Sequence, residues 1–328
     1  MHSCTLSHAT PRLLLRPPAP AAPGRYGGDL AGGPSSPAGL HRRPWLGRLR
    51  RALQEEMFVV HYQPIVSLED GTVAHYEALV RLADEAAGRL VAPGRFLPAA
   101  ERYGLIREID RLVLDRVAAL LGDRRSGALA HGPGPEGWVS DDRVGQRTGP
   151  RAARAGRQDA DATRPDGVRV AINLSALSVT DGTMLAHIER GLARHGVDPR
   201  RLVIEVTETA AISDMSRARA FCAGVRALGC AVALDDFGAG FGSFQYLRRL
   251  PFDYLKIDGS FVRSLESSPK DQLVVQALAD LARKMGKRTI AEYVGDRATL
   301  RLLRRYGVDY AQGFEIGRPH PACGVLGV

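Results

Sequence analysis

Four short apolar runs in this chain finish on oxygen donors. Tyr76–Arg81 carries Glu77, Ala171–Ser175 carries Asn173, Val203–Glu208 carries Glu205 and Glu208, and Val232–Gly238 carries Asp235 and Asp236. Each run has strand length and strand composition, and a core strand has little reason to end in an uncompensated carboxylate. Several doing so point to one shared site. Carboxylate and amide oxygens are the ligands that hard divalent cations such as Mg²⁺ and Mn²⁺ prefer. Three further strand-like runs deliver Lys256 and Asp258, then Glu292, then Gln312. Glu77, Asn173, Glu205 and Asp235 can converge on one cation. Asp235 and Asp236 together can reach a second about 3.5–4 Å away, the spacing at which two ions clamp the attacking and leaving oxygens of a phosphoryl centre. Lys256 adds a fixed positive charge beside them.

The elements that must position these groups alternate regularly. Strands are expected at His61–Leu68, Val73–Leu82, Val168–Ser175, Leu202–Thr207, Ala231–Asp236, Tyr254–Asp258, Arg288–Val294 and Asp309–Gly313. Helical periodicity falls on Pro98–Leu121, Met184–His195, Met215–Leu228, Asp271–Lys284 and Asp296–Tyr306. Eight strands alternating with helices predict an α/β fold, a TIM-like (β/α) barrel whose active site lies at the C-terminal strand ends. One feature departs from the ideal barrel. Only Glu69-Asp70-Gly71-Thr72 separates the first two strands, and Asp-Gly is a tight hairpin signal. Parallel neighbours need a crossover of a dozen or more residues, so the first strand is expected to run antiparallel to the second. Period-2 alternation then puts Glu77, Leu79 and Arg81 on one face, and likewise Asn173 with Ser175, Glu205 with Thr207, and Lys256 with Asp258.

Composition narrows the function classes. The net charge of +9 tempts a nucleic-acid reading, but residues 1–50 hold seven Arg and one acid, and residues 124–169 nine Arg and six acids. Those two segments account for all of the excess, which leaves the rest neutral and no expected DNA or RNA partner. Residues 1–45 are rich in Pro, Gly and Arg and read as a disordered tail. Residues 122–167, rich in Gly, Arg and Asp, read as a disordered insertion within a domain spanning 46–328. Cys4, Cys222, Cys230 and Cys323 make no C-x-x-C pair, so reduced thiols and a cytoplasmic protein are expected. No apolar run reaches the ~18–20 residues of a membrane span. Gly238-Ala239-Gly240-Phe241-Gly242 is glycine-rich but lacks the Gly-Lys-Ser/Thr ending of a P-loop.

In its ordered motifs the chain resembles the EAL-domain phosphodiesterases of bacterial cyclic di-GMP signalling. The motifs are Tyr62-Gln63-Pro64-Ile65-Val66, Glu77-Ala78-Leu79-Val80-Arg81, Asn173-Leu174-Ser175, Glu205-Val206-Thr207-Glu208, Asp235-Asp236-Phe237-Gly238, Leu255-Lys256-Ile257-Asp258, Ala291-Glu292, Gln312-Gly313 and Gly317-Arg318-Pro319. The resemblance implies hydrolysis of cyclic di-GMP to linear pGpG with two Mg²⁺ or Mn²⁺ ions, by a protein that works as a homodimer. It implies Glu77, Asn173, Glu205 and Asp235 as ligands of the first ion, and Asp235 and Asp236 as ligands of the second. Lys256, Glu292 and Asp236 take the catalytic roles. Arg81, Gln63, Leu79, Asp258 and Gln312 contact substrate, and Glu208 anchors the loop after the fifth strand.

Two departures from the family pattern stand out. The family's Asp-Asp-Phe-Gly-Thr-Gly-Tyr-Ser-Ser loop reads Asp235-Asp236-Phe237-Gly238-Ala239-Gly240-Phe241-Gly242-Ser243 here, and its Ala-Glu-Gly-Val-Glu reads Ala291-Glu292-Tyr293-Val294-Gly295. Neither removes a metal ligand or Lys256, so a hydrolase is expected. A receptor that holds cyclic di-GMP intact and a protein-interaction scaffold stand as the alternatives.

Overall fold

The computed structural model describes residues 44–84, 88–123, 167–208, 210, 214–238 and 244–321. The expected tail lies outside these residues except for Pro44 and Trp45, which open the first helix. The expected insertion lies outside them except for Gly122, Asp123 and Gly167. In chain order the elements are α1 (Pro44–Gln54), β1 (Phe58–Ser67), β2 (Val73–Asp84), β3 (Arg89–Val91), α2 (Leu97–Arg102), α3 (Ile106–Gly122), β4 (Val170–Leu174), α4 (Ala176–Val179), α5 (Met184–His195), β5 (Leu202–Thr207), α6 (Met215–Ala227), β6 (Ala231–Phe237), α7 (Phe244–Arg249), β7 (Tyr254–Ile257), α8 (Gly259–Val262), α9 (Pro269–Lys284), β8 (Arg288–Ala291), α10 (Arg297–Tyr306) and β9 (Tyr310–Gln312).

The sheet order β1-β9-β8-β7-β6-β5-β4-β2 closes through a β1–β2 pairing into an eight-stranded TIM-like barrel. β1 is antiparallel to both neighbours, pairing Gln63 with Glu77 on β2 and Ile65 with Gln312 on β9. The Asp70-Gly71 hairpin enforces this: Gly71 takes a left-handed φ of 75°, which costs a side-chain-free residue nothing. The remaining barrel strands run parallel.

Helices α1, α4, α7 and α8 add to those expected, and two further elements differ from expectation. β3 is an additional strand that folds back antiparallel on the end of β2, Leu82 opposite Val91; three residues give too short a pattern to read. The long helical pattern over Pro98–Leu121 splits into α2 and α3 at Tyr103-Gly104, where Gly104 has φ 70°.

Alternation along the strands builds the interior in layers. Ile65, Ala171, Val203, Ala233, Tyr254, Ile290 and Tyr310 form an apolar cluster of their own, separate from the main core between barrel and helices. The His75 ring packs on Tyr254 and Tyr310 in this layer, with ring centroids 5.6 and 6.0 Å away. One step of two residues toward the mouth brings Glu77, Asn173, Glu205, Asp235, Lys256, Glu292 and Gln312. On β1, which runs the other way, it brings Gln63. The barrel is thus apolar one layer down and polar at its C-terminal end.

Candidate active site

Lys256 is the hub of the polar layer. It is 1% exposed, and its Nζ lies 2.6 Å from Glu205, 2.8 Å from Glu292, 3.0 Å from Asp235 and 3.8 Å from Glu77. Burial alone would lower its pKa. The carboxylates of Asp235, Glu205, Glu292 and Glu77 outweigh that and hold the ammonium well above its ordinary value. The acids respond in kind. Burial raises Glu205 well above the carboxylate range against the pull of Lys256. Burial, opposed by Lys256 and reinforced by Asp235 and Glu77, pushes Glu292 up to about 8. Burial and then Asp235 push Asp236 up to about 6. With all five carboxylates ionised against one ammonium the layer would carry −4, which two divalent cations would balance and which, without them, the raised carboxyl groups relieve by protonation.

The donors suit such cations. Carboxylate oxygens of Asp235, Asp236 and Glu292 lie within 4.8 Å of one another. Glu205 Oε1 is buried and accepts no hydrogen bond among the described residues, although its other oxygen holds Lys256. A buried, unsatisfied carboxylate oxygen is costly unless a cation completes it.

Backbone geometry explains how two consecutive aspartates serve one site. Strict alternation would send Asp235 and Asp236 to opposite faces. Between Leu234↔Leu255 and Phe237↔Ile257, however, β6 places both aspartates opposite the single Lys256 of β7. This is a β-bulge, and Asp236 completes it with φ 55°. The bulge turns the second carboxylate back toward the first. Asp236 keeps solvent on one side although its carboxyl is partly desolvated, while Asp235 is buried.

Glu77 is held by amides on both oxygens. Asn173 Nδ2 donates to Oε1 at 2.6 Å, and Gln312 Nε2 donates to Oε2 at 2.5 Å. Gln312 Nε2 also reaches Gln63 Oε1 at 3.2 Å, and Gln63 Nε2 donates to the Gly317 carbonyl at 2.9 Å. Gln63 and Gln312, expected as substrate contacts, therefore brace a carboxylate. The contacts cross 249 and 235 positions of sequence, and no local pattern announces them.

The other expected residues sit around this layer. Arg81 and Leu79 are half-buried further along β2, and Arg81 Nη1 donates to the Val80 carbonyl at 2.9 Å. Asp258 caps α8 by accepting the Ser260 N–H at 2.8 Å, so its carboxylate is already engaged. Glu208 is buried, and its Oε1 lies 3.5 Å from the Gly238 N–H at the start of the loop after β6. Residues 239–243, where the sequence departs from the family loop, lie outside the described residues. Asp110 carried no sequence signal yet fixes the end of β4. Its buried carboxylate accepts from Ser175 N, Ser175 Oγ and Ser178 Oγ at 3.0, 2.7 and 2.6 Å.

The EAL domain model matches residues 46–134 and 151–319. The cyclic di-GMP phosphodiesterase PdeB of Shewanella oneidensis is 34% identical over 277 residues, 84% of this chain and 28% of that protein. The bifunctional diguanylate cyclase/cyclic di-GMP phosphodiesterase MucR of Pseudomonas aeruginosa is 34% identical over 274 residues, 84% of this chain and 35% of that one. The chain thus spans about a third of the length of these relatives. Among solved structures, the MucR phosphodiesterase in complex with c-di-GMP superposes with a TM-score of 0.68 at 33% identity, covering 86% of this chain and 99% of that one. The FimX EAL domain from Pseudomonas aeruginosa bound to c-di-GMP gives 0.68 at 26% identity, with 84% and 96% covered. With the strand-end polar layer in register along the barrel and the family model matched along most of its length, the chain belongs to the EAL domain family.

Proposed function

We propose that this chain hydrolyses one phosphodiester bond of cyclic di-GMP to give linear pGpG, using two Mg²⁺ or Mn²⁺ ions, as a homodimer. The observation that carries this reading is Lys256, buried among four carboxylates at the strand ends, with more negative charge around it than it can balance. Glu77, Asn173, Glu205 and Asp235 would hold one ion, and Asp235 and Asp236 the other. Bound there, the ions would supply Lewis acidity to the phosphoryl oxygens and lower the pKa of a water.

The protein's own groups then have definite tasks. Lys256 turns one of the N–H groups now facing Glu205, Glu292 and Asp235 to the attacking water, which it holds and orients, and Glu292 beside it accepts a hydrogen bond from that water. Water oxygen bonds to phosphorus as the P–O3′ bond breaks; the water gives up one proton and the 3′ oxygen takes one up, so the phosphate gains the water's oxygen and the leaving group ends as a hydroxyl. Arg81 binds the phosphate that is not cleaved, while Gln63 and Gln312 keep Glu77 in its ligating orientation. Leu79 and Asp258 border the substrate, and Glu208 ties down the loop after β6. Preorganisation of these charges is the catalytic resource, because they need no rearrangement as charge develops. Residues 46–328 form the catalytic unit in this account, with 1–45 as a tail and 122–167 as an insertion. Among the described residues no helix is long and apolar enough to cross a membrane.

Incubating the purified chain with cyclic di-GMP and Mn²⁺, then separating the nucleotides, tests the proposal. Linear pGpG supports it. Intact cyclic di-GMP retained on the protein would make the chain a receptor, and no retention would make it a scaffold.

A further inference from the structure

Resting on the phosphodiesterase reading, we propose that Tyr293 is a further substrate-binding residue: an open aromatic platform on the barrel rim that stacks a purine base of the cyclic dinucleotide. Tyr293 directly follows Glu292, so its Cα stands about 3.8 Å from that of a residue in contact with Lys256. It is held at φ 54°, a left-handed conformation that glycine adopts freely and a bulky residue rarely does. The other non-glycine residues with positive φ among those described are Glu56 and Asp236, and the latter also belongs to the site.

The surroundings accommodate the ring and leave it open. A Cβ on Gly259 would fall 2.1 Å from Tyr293 Cδ2, so the ring lies against bare backbone just beyond the end of β7. The Arg263 guanidinium carbon stands 4.0 Å from the ring centroid and covers one face. Even so, 57% of the residue is exposed. A tyrosine that only fastened α8 to β8 would be expected to bury itself. This one is fixed in place by backbone and guanidinium, and its remaining surface is open to solvent one residue from Glu292. Aromatic rings backed by arginine are sequence-tolerant seats for nucleobases, since every base offers a π face. The phosphates would occupy the polar layer and the base would lie on the rim.

Tyr293→Phe and Tyr293→Leu in the full chain provide the test. Initial rates with cyclic di-GMP and Mg²⁺ give kcat and KM. Calorimetry with Ca²⁺ in place of Mg²⁺, whose larger radius and looser coordination suit binding more than hydrolysis, gives Kd. Tyr293→Leu is expected to raise KM and Kd by about 5- to 150-fold, the span of one base–aromatic stack. Its kcat should stay within roughly threefold, as befits lost binding rather than lost chemistry. Tyr293→Phe should match the wild type in both. Unchanged KM and Kd in Tyr293→Leu overturns the proposal. So does a Phe variant as impaired as Leu, which would assign the contact to the hydroxyl, or a fall in kcat alone, which would assign a structural role through Glu292. A wild type that binds but does not cleave cyclic di-GMP refutes hydrolysis while Kd still decides the stacking; one that does neither overturns both.

Discussion

Replacing Lys256 by methionine keeps the side-chain volume and removes the charge, and the structure sets the size of the consequence. In the wild type, Glu205 Oε2 accepts from Lys256 at 2.6 Å, and its other oxygen accepts no hydrogen bond among the described residues. The ammonium also faces Glu292 at 2.8 Å and Asp235 at 3.0 Å. Without it, Glu205 keeps no donor and the other acids lose their common counter-charge. Removing one member of a buried ionic set costs about 3–5 kcal/mol. At about 2–4 °C per kcal/mol for a domain of this size, chelated Lys256→Met should melt roughly 6–20 °C below the wild type. Divalent cations draw on the same oxygens, so Mn²⁺ should raise the melting temperature of the variant more than that of the wild type. Turnover should fall on the order of 10²–10⁴-fold even at saturating Mn²⁺, because the ions do not replace the group that orients the water. Differential scanning fluorimetry across a Mn²⁺ series, with pGpG release followed in parallel, reads all three quantities. A variant within 2 °C of the wild type in chelator, a margin of about 1 kcal/mol or less, would refute the neutralising role. Equal Mn²⁺ shifts would refute the sharing of oxygens.

Glu77→Gln leaves one acceptor oxygen for the two amide donors and turns the other into an NH2, so Asn173 must flip its amide to accept from it, and the fold should survive that exchange. The substitution should lower turnover by about 10²-fold or more through the weakened ion site, and activity against circular dichroism separates the two effects. Gly313→Ala should cost more than its size suggests. The new methyl would meet the Val294 backbone at 2.1 Å from its oxygen and 2.3 Å from its nitrogen, prising apart the loops after β8 and β9. A melting temperature within 2 °C of the wild type, again about 1 kcal/mol or less, would contradict that. Cys222 and Cys230 are buried, and burial pushes both thiols up to about 12. Iodoacetamide should therefore label them at pH 8 only after denaturant is added; rapid native labelling detected by mass spectrometry would show that the helix–barrel layer opens.

The site was legible in outline because alternation along a strand is a strict rule. Glu77, Asn173, Glu205, Asp235, Lys256, Glu292 and Gln312 each sit on the inward face, near the C-terminal end, of a strand whose apolar run is visible in sequence. The Asp70-Gly71 turn likewise foretold the antiparallel β1. What stayed hidden depends on departures from alternation or on distant contacts. Asp236 was expected beside Asp235, but the bulge and positive φ that bring it there were not, because two acidic letters in a row do not reveal which way the second points. The bracing of Glu77 by Gln312 and Gln63 requires the barrel to close, which brings the ends of the domain together. The break at Gly104 was obscured because α2 and α3 together keep an almost continuous apolar spacing.

The most direct test of the account is a stoichiometric Mn²⁺ titration of chelated, concentrated protein with cyclic di-GMP as substrate. The charge left uncovered around Lys256 predicts no hydrolysis in chelator, and pGpG release that rises to a plateau at two ions per chain. Full turnover in chelator, or a plateau reached at one ion, would contradict it.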